Sequence, residues 1–402
     1  MPQKKRAFIT GIGILAPNGN GVSAFWDTLC RGESGIGPIT LFDCSDMACK
    51  IAGEVKDFKP EDHIDPALKP RRMGRFTQLG IAAARMAVDD AGLEPKDLRR
   101  MDGLPVVIGI SNSSMDLFAD QPRIHTATAC IPHAATSAIG YMYSVRPRLT
   151  TISDGCASGM EAIATGARLI LDGRNELVIA GSAEGAVVRY VIECMLKCRR
   201  CSRRNDEPEK ASRPFDKDRD YGVMAEGAAI LILESHEHAM ARGVTPYAEI
   251  RGAASWGDPL QEDEGAGMKT TMALALANAG ARKEDVDFIS AHGPSDIDMD
   301  RLETEMIKDV FGDLAYTIPV TSIKGATGCP MGAAGAMQVV AAALSAREGL
   351  ITPTANFVEG DKDCDLDYVG GRARPAPVRN ILVNSHGFGR GNSGMIISKI
   401  EA

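Results

Sequence analysis

Two segments of the chain, 148–172 and 316–348, repeat one pattern. Each has a short apolar run, a corner holding glycine and cysteine, and then a long stretch of small residues. The first reads RLTTISDGCASGMEAIATGARLILD and the second YTIPVTSIKGATGCPMGAAGAMQVVAAALSARE. A helix made of Gly and Ala lets other backbone approach closely, which a solvent-facing helix has no use for. Such helices belong buried between sheets. The repeat therefore points to a duplicated α/β unit with a junction near 236–250.

The remaining periodicity agrees. Short, near-continuous apolar runs at 6–12, 104–110, 148–153, 176–182 and 227–234 predict strands, and so do those at 247–252, 286–291, 316–322, 380–385 and 394–400. Segments of helical period lie between them at 72–91, 156–172, 236–242, 269–279, 300–311 and 332–348. Strands without polar alternation are covered on both faces, which predicts an α/β architecture. The composition fits this. With 402 residues, 44% apolar and 24% charged, the chain is neither disordered nor fibrous. Gly at 42 and aromatics at 5% argue against a β-sandwich or coiled coil.

A net charge of −8 argues against general nucleic-acid binding. No apolar stretch reaches ~18 residues without a charge, so no transmembrane helix is predicted. The early AFITGIGILA holds two glycines and leads into APNGNG with no cleavage pattern, so it reads as a first strand and turn. The expected compartment is cytoplasmic. The ten cysteines are scattered through a chain too long to need disulfide staples, so they are expected as reduced thiols. Cys194, Cys198 and Cys201 lack the pairing and the fourth ligand of a zinc site, so no metal is expected.

Segment 197–219 is the compositional break, with nine basic and five acidic residues. It reads either as a solvated loop or as a docking surface for an acidic partner. A second basic cluster, Lys69, Arg71, Arg72 and Arg75, favours docking.

Cys156 follows an apolar strand and opens a small-residue helix, where exposed N–H groups lower a thiol's pKa. It is either a nucleophile or a buried core cysteine, and Asp154 opposes the first reading if its carboxylate turns inward. His292 and His386 both stand at strand ends, the second ahead of a Gly-rich loop. Either is a candidate catalytic group or a satisfied loop histidine. One nucleophile and two such histidines suggest acyl transfer without identifying it.

The order of motifs resembles the β-ketoacyl-acyl-carrier-protein synthases of the ketosynthase I/II type, nearly end to end. The resemblance rests on RAFITGIGILAPNGNG, CASG, SAHG, TSIKGATGCPMGAAGA and NSHGFGRGN. It implies the thiolase-like fold, with duplicated halves 1–240 and 241–402 layered αβαβα, and a homodimer or a heterodimer with another ketosynthase. It further implies Cys156 as nucleophile, with the N–H groups of Cys156 and Phe388 as oxyanion hole and Phe388 as gate of the acyl pocket. His292 becomes the histidine that assists malonyl decarboxylation. Lys324 becomes the active-site lysine, with Glu303 as its ion-pair partner and Asp300 keeping the acidic spacing. No cofactor is implied, because substrates arrive on the phosphopantetheine of acyl carrier protein, docked at Arg71, Arg72 and Arg204.

The departures from the family bear on chemistry. Cys329 takes the place of the second catalytic histidine, and a thiol is a weaker hydrogen-bond donor than an imidazole. Ser295 and Asp296 stand where the family's pantetheine-binding threonines occur, Gln338 where a glutamate is usual, and Asp154 where a threonine is usual. Segment 111–131 is shorter than the family's acyl-pocket and dimer segment. Two readings follow. One is a condensing enzyme in which His386, a phenylalanine in the family, supplies the missing imidazole. The other is a non-elongating relative that holds or transfers acyl groups, or shapes a partner synthase's pocket.

Overall fold

The computed structural model describes residues 5–113, 115–118 and 124–401, so part of segment 111–131 lies outside the described residues. Its frame is an eleven-stranded sheet. Five strands come from the first part of the chain: β1 (Ala7–Ala16), β2 (Pro105–Gly109), β3 (Arg148–Ile152), β4 (Leu177–Gly185) and β5 (Glu226–Ser235). Five follow it: β6 (Ala248–Gly257), β7 (Phe288–Ser290), β8 (Val320–Thr321), β9 (Asn380–Gly387) and β10 (Gly391–Ser398). The short Gly19–Asn20 arm folds back on β1.

The spatial order is β3-β2-β4-β5-β1 and then β6-β10-β9-β7-β8. The two sets obey one rule. The second strand of each pairs in parallel with the third and fourth, while the fourth, fifth and first run antiparallel. The sets join only where Ala7–Ile9 of β1 pairs with Ala248–Ile250 of β6.

Helices fill three layers. On the outer face of the first set lie α1 (Arg75–Asp90) and α2 (His133–Tyr143). Between the sets lie α3 (Ser158–Leu171) and α6 (Ala334–Glu348), which touch each other and strands of both sets. Outside the second set lie α4 (Met268–Ala279) and α5 (Ile297–Phe311). This is the thiolase-like α/β layering. Small residues make the middle layer possible: a Cβ on Gly159 would stand 2.8 Å from the Gly332 carbonyl and 3.0 Å from the Ala336 methyl. Residues 334–346 of α6 are all buried. Burying an all-round apolar helix supplies hydrophobic free energy on every face.

Some boundaries differ from the periodicity. Only Val320–Thr321 of the 316–322 run pairs, because Gly312–Tyr316 forms a 3₁₀ turn and Pro319 has no N–H to give. Helix α5 starts at Ile297, where the Asp296 side chain accepts from the Asp298 and Met299 N–H groups. Helices at Val22–Arg31, His133–Tyr143 and Arg189–Lys197 were not visible in the pattern. Among the described residues no helix is long and apolar enough to cross a membrane.

Candidate active site

Three connections between strand and helix and one strand of a hairpin converge on one cleft. Cys156 comes from the β3–α3 corner, Cys329 from the β8–α6 corner, His292 from the end of β7 and His386 from β9. All four line the cleft, with Phe388 beside them. The histidines and cysteines are nearly fully buried, whereas Phe388 is 43% exposed at its hairpin tip.

Gly155, at φ +51°, makes the nucleophile corner possible. A Cβ there would meet the Phe388 nitrogen at 2.8 Å, and one on Gly387 would meet the Cys156 nitrogen at 3.0 Å. The Cys156 and Phe388 amides are thereby held against the same glycine contact. The Asp154 carboxylate does not turn toward Cys156. It lies against Gly391, where a Cβ would fall 1.9 Å from Oδ1, and burial raises its pKa.

The Cys156 and Cys329 sulfurs are 4.0 Å apart, close enough for one S–H to donate to the other. The pair loses its first proton more readily than an ordinary thiol, because the remaining S–H and the nearby Lys324 ammonium support the thiolate. It holds its second proton strongly, since a second buried charge would face the first.

His292 is fixed from behind. Its Nδ1 accepts from Lys324 Nζ at 3.2 Å and from the His386 N–H at 3.2 Å, so Nε2 carries the proton. Burial and the Lys324 charge push its pKa well below the usual value. The ring is a neutral N–H donor aimed at the cleft. Lys324, 1% exposed, also donates to the His292 carbonyl. The expected Lys324–Glu303 ion pair is not formed. Glu303 accepts instead from the His292 and Gly293 N–H groups and from Asn384 Nδ2, each at 2.7 Å. Burial raises its pKa against these donors. It clamps the strand end that carries His292 and does not line the cleft. Asp300 likewise faces inward, accepting from the Phe215 N–H at 2.7 Å, and burial lifts its pKa to about 8.

His386 has the opposite polarity to His292. Asn392 donates through Nδ2 to Asp258 Oδ1 at 2.6 Å and to the Trp256 carbonyl, so its Oδ1 accepts from His386 Nδ1 at 2.9 Å. In the neutral ring Nε2 therefore offers a lone pair, buried without a hydrogen-bond partner and 3.8 Å from Glu264 Oε1. In that tautomer Nε2 is an acceptor, unlike the N–H donor that the histidine-to-cysteine change removes. Gln338 sits behind both histidines. Its Nε2 donates to the Ala291 carbonyl at 2.7 Å and the Asn384 carbonyl at 3.0 Å.

Ser295 and Asp296 are both committed elsewhere. Ser295 Oγ accepts from the Arg213 N–H at 2.9 Å and is off the cleft. Asp296 reaches the cleft wall but caps α5 and pairs with Arg200 at 2.6 Å. Arg200, Glu264, Met224 and Met299 also line the cleft. Only Arg200 had a sequence signal, as part of the basic break.

That break is neither a free loop nor a uniform basic face. Arg213 pairs with Asp216, Arg219 with Asp361, Lys217 with Glu359 and Lys210 with Glu207, while Arg204 donates to the Asp218 carbonyl. Lys197, Arg199 and Arg203 remain exposed. In the second cluster Lys69, Arg71 and Arg72 are exposed, but Arg75 turns inward to Glu226 at 2.6 Å. Cys194, Cys198 and Cys201 do not converge: Cys198 is exposed and Cys201 lies 3.5 Å from Cys49. No metal-holding cluster occurs among the described residues.

Known proteins share this plan. The β-ketoacyl synthase N-terminal domain profile matches residues 4–239, and the C-terminal domain profile matches 247–358. A 3-oxoacyl-[acyl-carrier-protein] synthase 2 of Synechocystis sp. is 38% identical over 99% of both chains. A tetracenomycin polyketide synthase ketoacyl synthase alpha subunit of Streptomyces glaucescens is 35% identical over 98% of this chain and 97% of its own. Among solved structures, the ishigamide ketosynthase/chain length factor superposes with TM-score 0.89 at 32% identity, over 99% of this chain and 100% of that one. A type II polyketide ketosynthase bound to a hexaketide, in complex with its acyl-carrier protein, gives 0.87 at 29% identity over the same shares.

Proposed function

Since this chain belongs to the β-ketoacyl synthase family, we propose that it is an acyl-thioester transferase that loads an acyl group on Cys156 and condenses it with a malonyl-carrier extender. The observation that carries this reading is the facing of a thiol at the head of α3 by the neutral Nε2–H donor of His292. The Cys156 thiolate attacks the acyl thioester carbonyl, and the carrier's thiolate leaves with a proton. The Cys156 and Phe388 amides stabilise the oxyanion. The malonyl carboxylate then departs as carbon dioxide, and the enolate oxygen so formed is held by His292 Nε2–H. The enolate carbon attacks the Cys156 thioester, and Cys156 leaves as thiolate. Lys324 and Glu303 position His292.

Acyl carrier protein docks at the exposed Arg71 and Arg72, with the half-buried Arg204 as a further basic contact. The uncovered edge strand β3 supports pairing with a second copy or with another ketosynthase. The reaction is cytoplasmic, in fatty acid or polyketide synthesis. The strand order repeated on either side of residues 236–247 supports a division into halves 1–240 and 241–402.

A second reading, acyl holding or transfer without elongation, is favoured by one observation. Cys329 supplies a thiol where a second N–H donor is needed for decarboxylation, and the His386 Nδ1–H is spent on Asn392. One incubation with acyl- and malonyl-carrier protein decides between them by intact mass and product. Acylation that vanishes in Cys156→Ala together with an extended β-ketoacyl product upholds condensation. Acylation without product upholds the second reading, and no acylation overturns both.

A further inference from the structure

We infer that Cys156 and Cys329 form an oxidisable dithiol, a modification site that takes a two-electron oxidant of the hydroperoxide class and closes to a disulfide. Three observations carry this. The sulfurs are 4.0 Å apart, and a disulfide needs about 2.05 Å, an approach within reach of side-chain rotation. Both thiols line the cleft, so a small oxidant reaches them although their exposures are only 3% and 6%. Lys324 lies close enough to favour a thiolate in the pair, and the thiolate is the form that reacts.

The Cys329 backbone is held in place, so closure falls to rotation of the side chains. The Cys329 N–H donates to the Val223 carbonyl at 2.7 Å, and its carbonyl accepts from the Ala225 N–H at 3.0 Å. The corner is pinned while its side chain stays free to turn.

The chemistry balances. A thiolate attacks one oxygen of hydrogen peroxide, the O–O bond breaks, and hydroxide leaves to become water with a proton from solvent. The sulfenic acid so formed is attacked by the second thiolate. The S–O bond breaks, the S–S bond forms and a second water leaves. Two thiols are oxidised and one peroxide is reduced. The disulfide blocks acyl loading and also keeps Cys156 from the irreversible sulfinic stage. A thiol reductant restores both sulfurs.

The crosslink does not depend on condensation, and only its effect on activity rests on the function proposed above. Reduced protein is treated with hydrogen peroxide, quenched with an alkylating agent, and examined by intact mass and peptide mapping. The expected result is a species that carries two alkyl groups fewer than the reduced control, with the Cys156 and Cys329 peptides joined and both separated again by dithiothreitol. Acyl loading falls at least about tenfold and returns with the reductant. In Cys329→Ser the link is absent and Cys156 passes to sulfinic acid, which reductant does not reverse. Cys201→Ser, which removes the separate 3.5 Å Cys49–Cys201 pair, leaves the active-site link intact. Oxidation of Cys156 at the same rate and to the same acid in wild type and Cys329→Ser, with no joined peptide, overturns the inference. A joined peptide in a protein that never accepts an acyl group retains the dithiol and overturns only the proposed function.

Discussion

The two strand-to-helix corners occupy the same slot in the repeated strand order, yet they are built differently. Residues 153–157 take the chain from β3 into α3 in five residues, while 322–333 take it from β8 into α6 in twelve. The short corner has room for one glycine at positive φ and delivers Cys156 straight onto a helix head. The long corner spends its extra length on a turn at Lys324–Thr327 that sinks the lysine behind His292, and on a backbone clamp around Cys329. On the function proposed above, equivalent places in the repeated strand order separate into a reacting corner and a positioning corner. The distinction is one of length, since both present a buried thiol to the same cleft.

The largest test of this comparison removes the donor that the long corner orients. His292→Asn keeps an oxygen able to accept from Lys324 and from the His386 N–H but has no counterpart of Nε2–H. Malonyl decarboxylation should fall about 10²–10³-fold with little change in acyl loading. The same variant has a pH signature. The folded ring stays neutral, while the unfolded histidine takes a proton near pH 6.5, so the wild type loses stability as pH falls through that value. The stability gap between wild type and variant should narrow below it by up to about 1.4 kcal/mol per pH unit, read from urea unfolding.

A smaller effect tests the packing that lets the corners meet. Gly159→Ala drives a methyl into the Gly332 carbonyl and should cost about 1–3 kcal/mol, whereas Gly37→Ala, with open space around it, should cost under about 0.5 kcal/mol. The smallest change sharpens the comparison by giving the long corner its imidazole. Cys329→His should raise decarboxylation about tenfold, or about 1.4 kcal/mol of barrier. No rise would mean that the thiol already suffices or that the ring cannot take up a donor position.

Much of this was legible in the chain because local rules coincide with global ones. Small-residue helices have to be buried, and α3 and α6 are the middle layer. Cys156, His292 and His386 sit at strand ends, and all three reach the cleft. Other features depend on distance in space rather than in sequence. The family resemblance placed Glu303 with Lys324, but the lysine donates to His292 and the carboxylate is taken by backbone amides and Asn384. Ser295 and Asp296 stand at a binding position of the family, while the Arg213 N–H takes up the Ser295 hydroxyl, helix capping and Arg200 share Asp296 Oδ1, and Asp296 Oδ2 is left without a partner. The basic run at 197–219 gave no sign that Arg200, Lys217 and Arg219 meet acids brought from elsewhere in the chain.

Gln338 has a mechanical consequence. Its one amide group, carried on the buried part of α6, is tied to the Ala291 carbonyl just past the end of β7 and to the Asn384 carbonyl within β9. Neither strand end can open without breaking the same tie, and a carboxylate in its place would set acceptors against acceptors. The segments bearing His292 and His386 therefore fluctuate as one cooperative unit, and thermal breathing carries the two rings together.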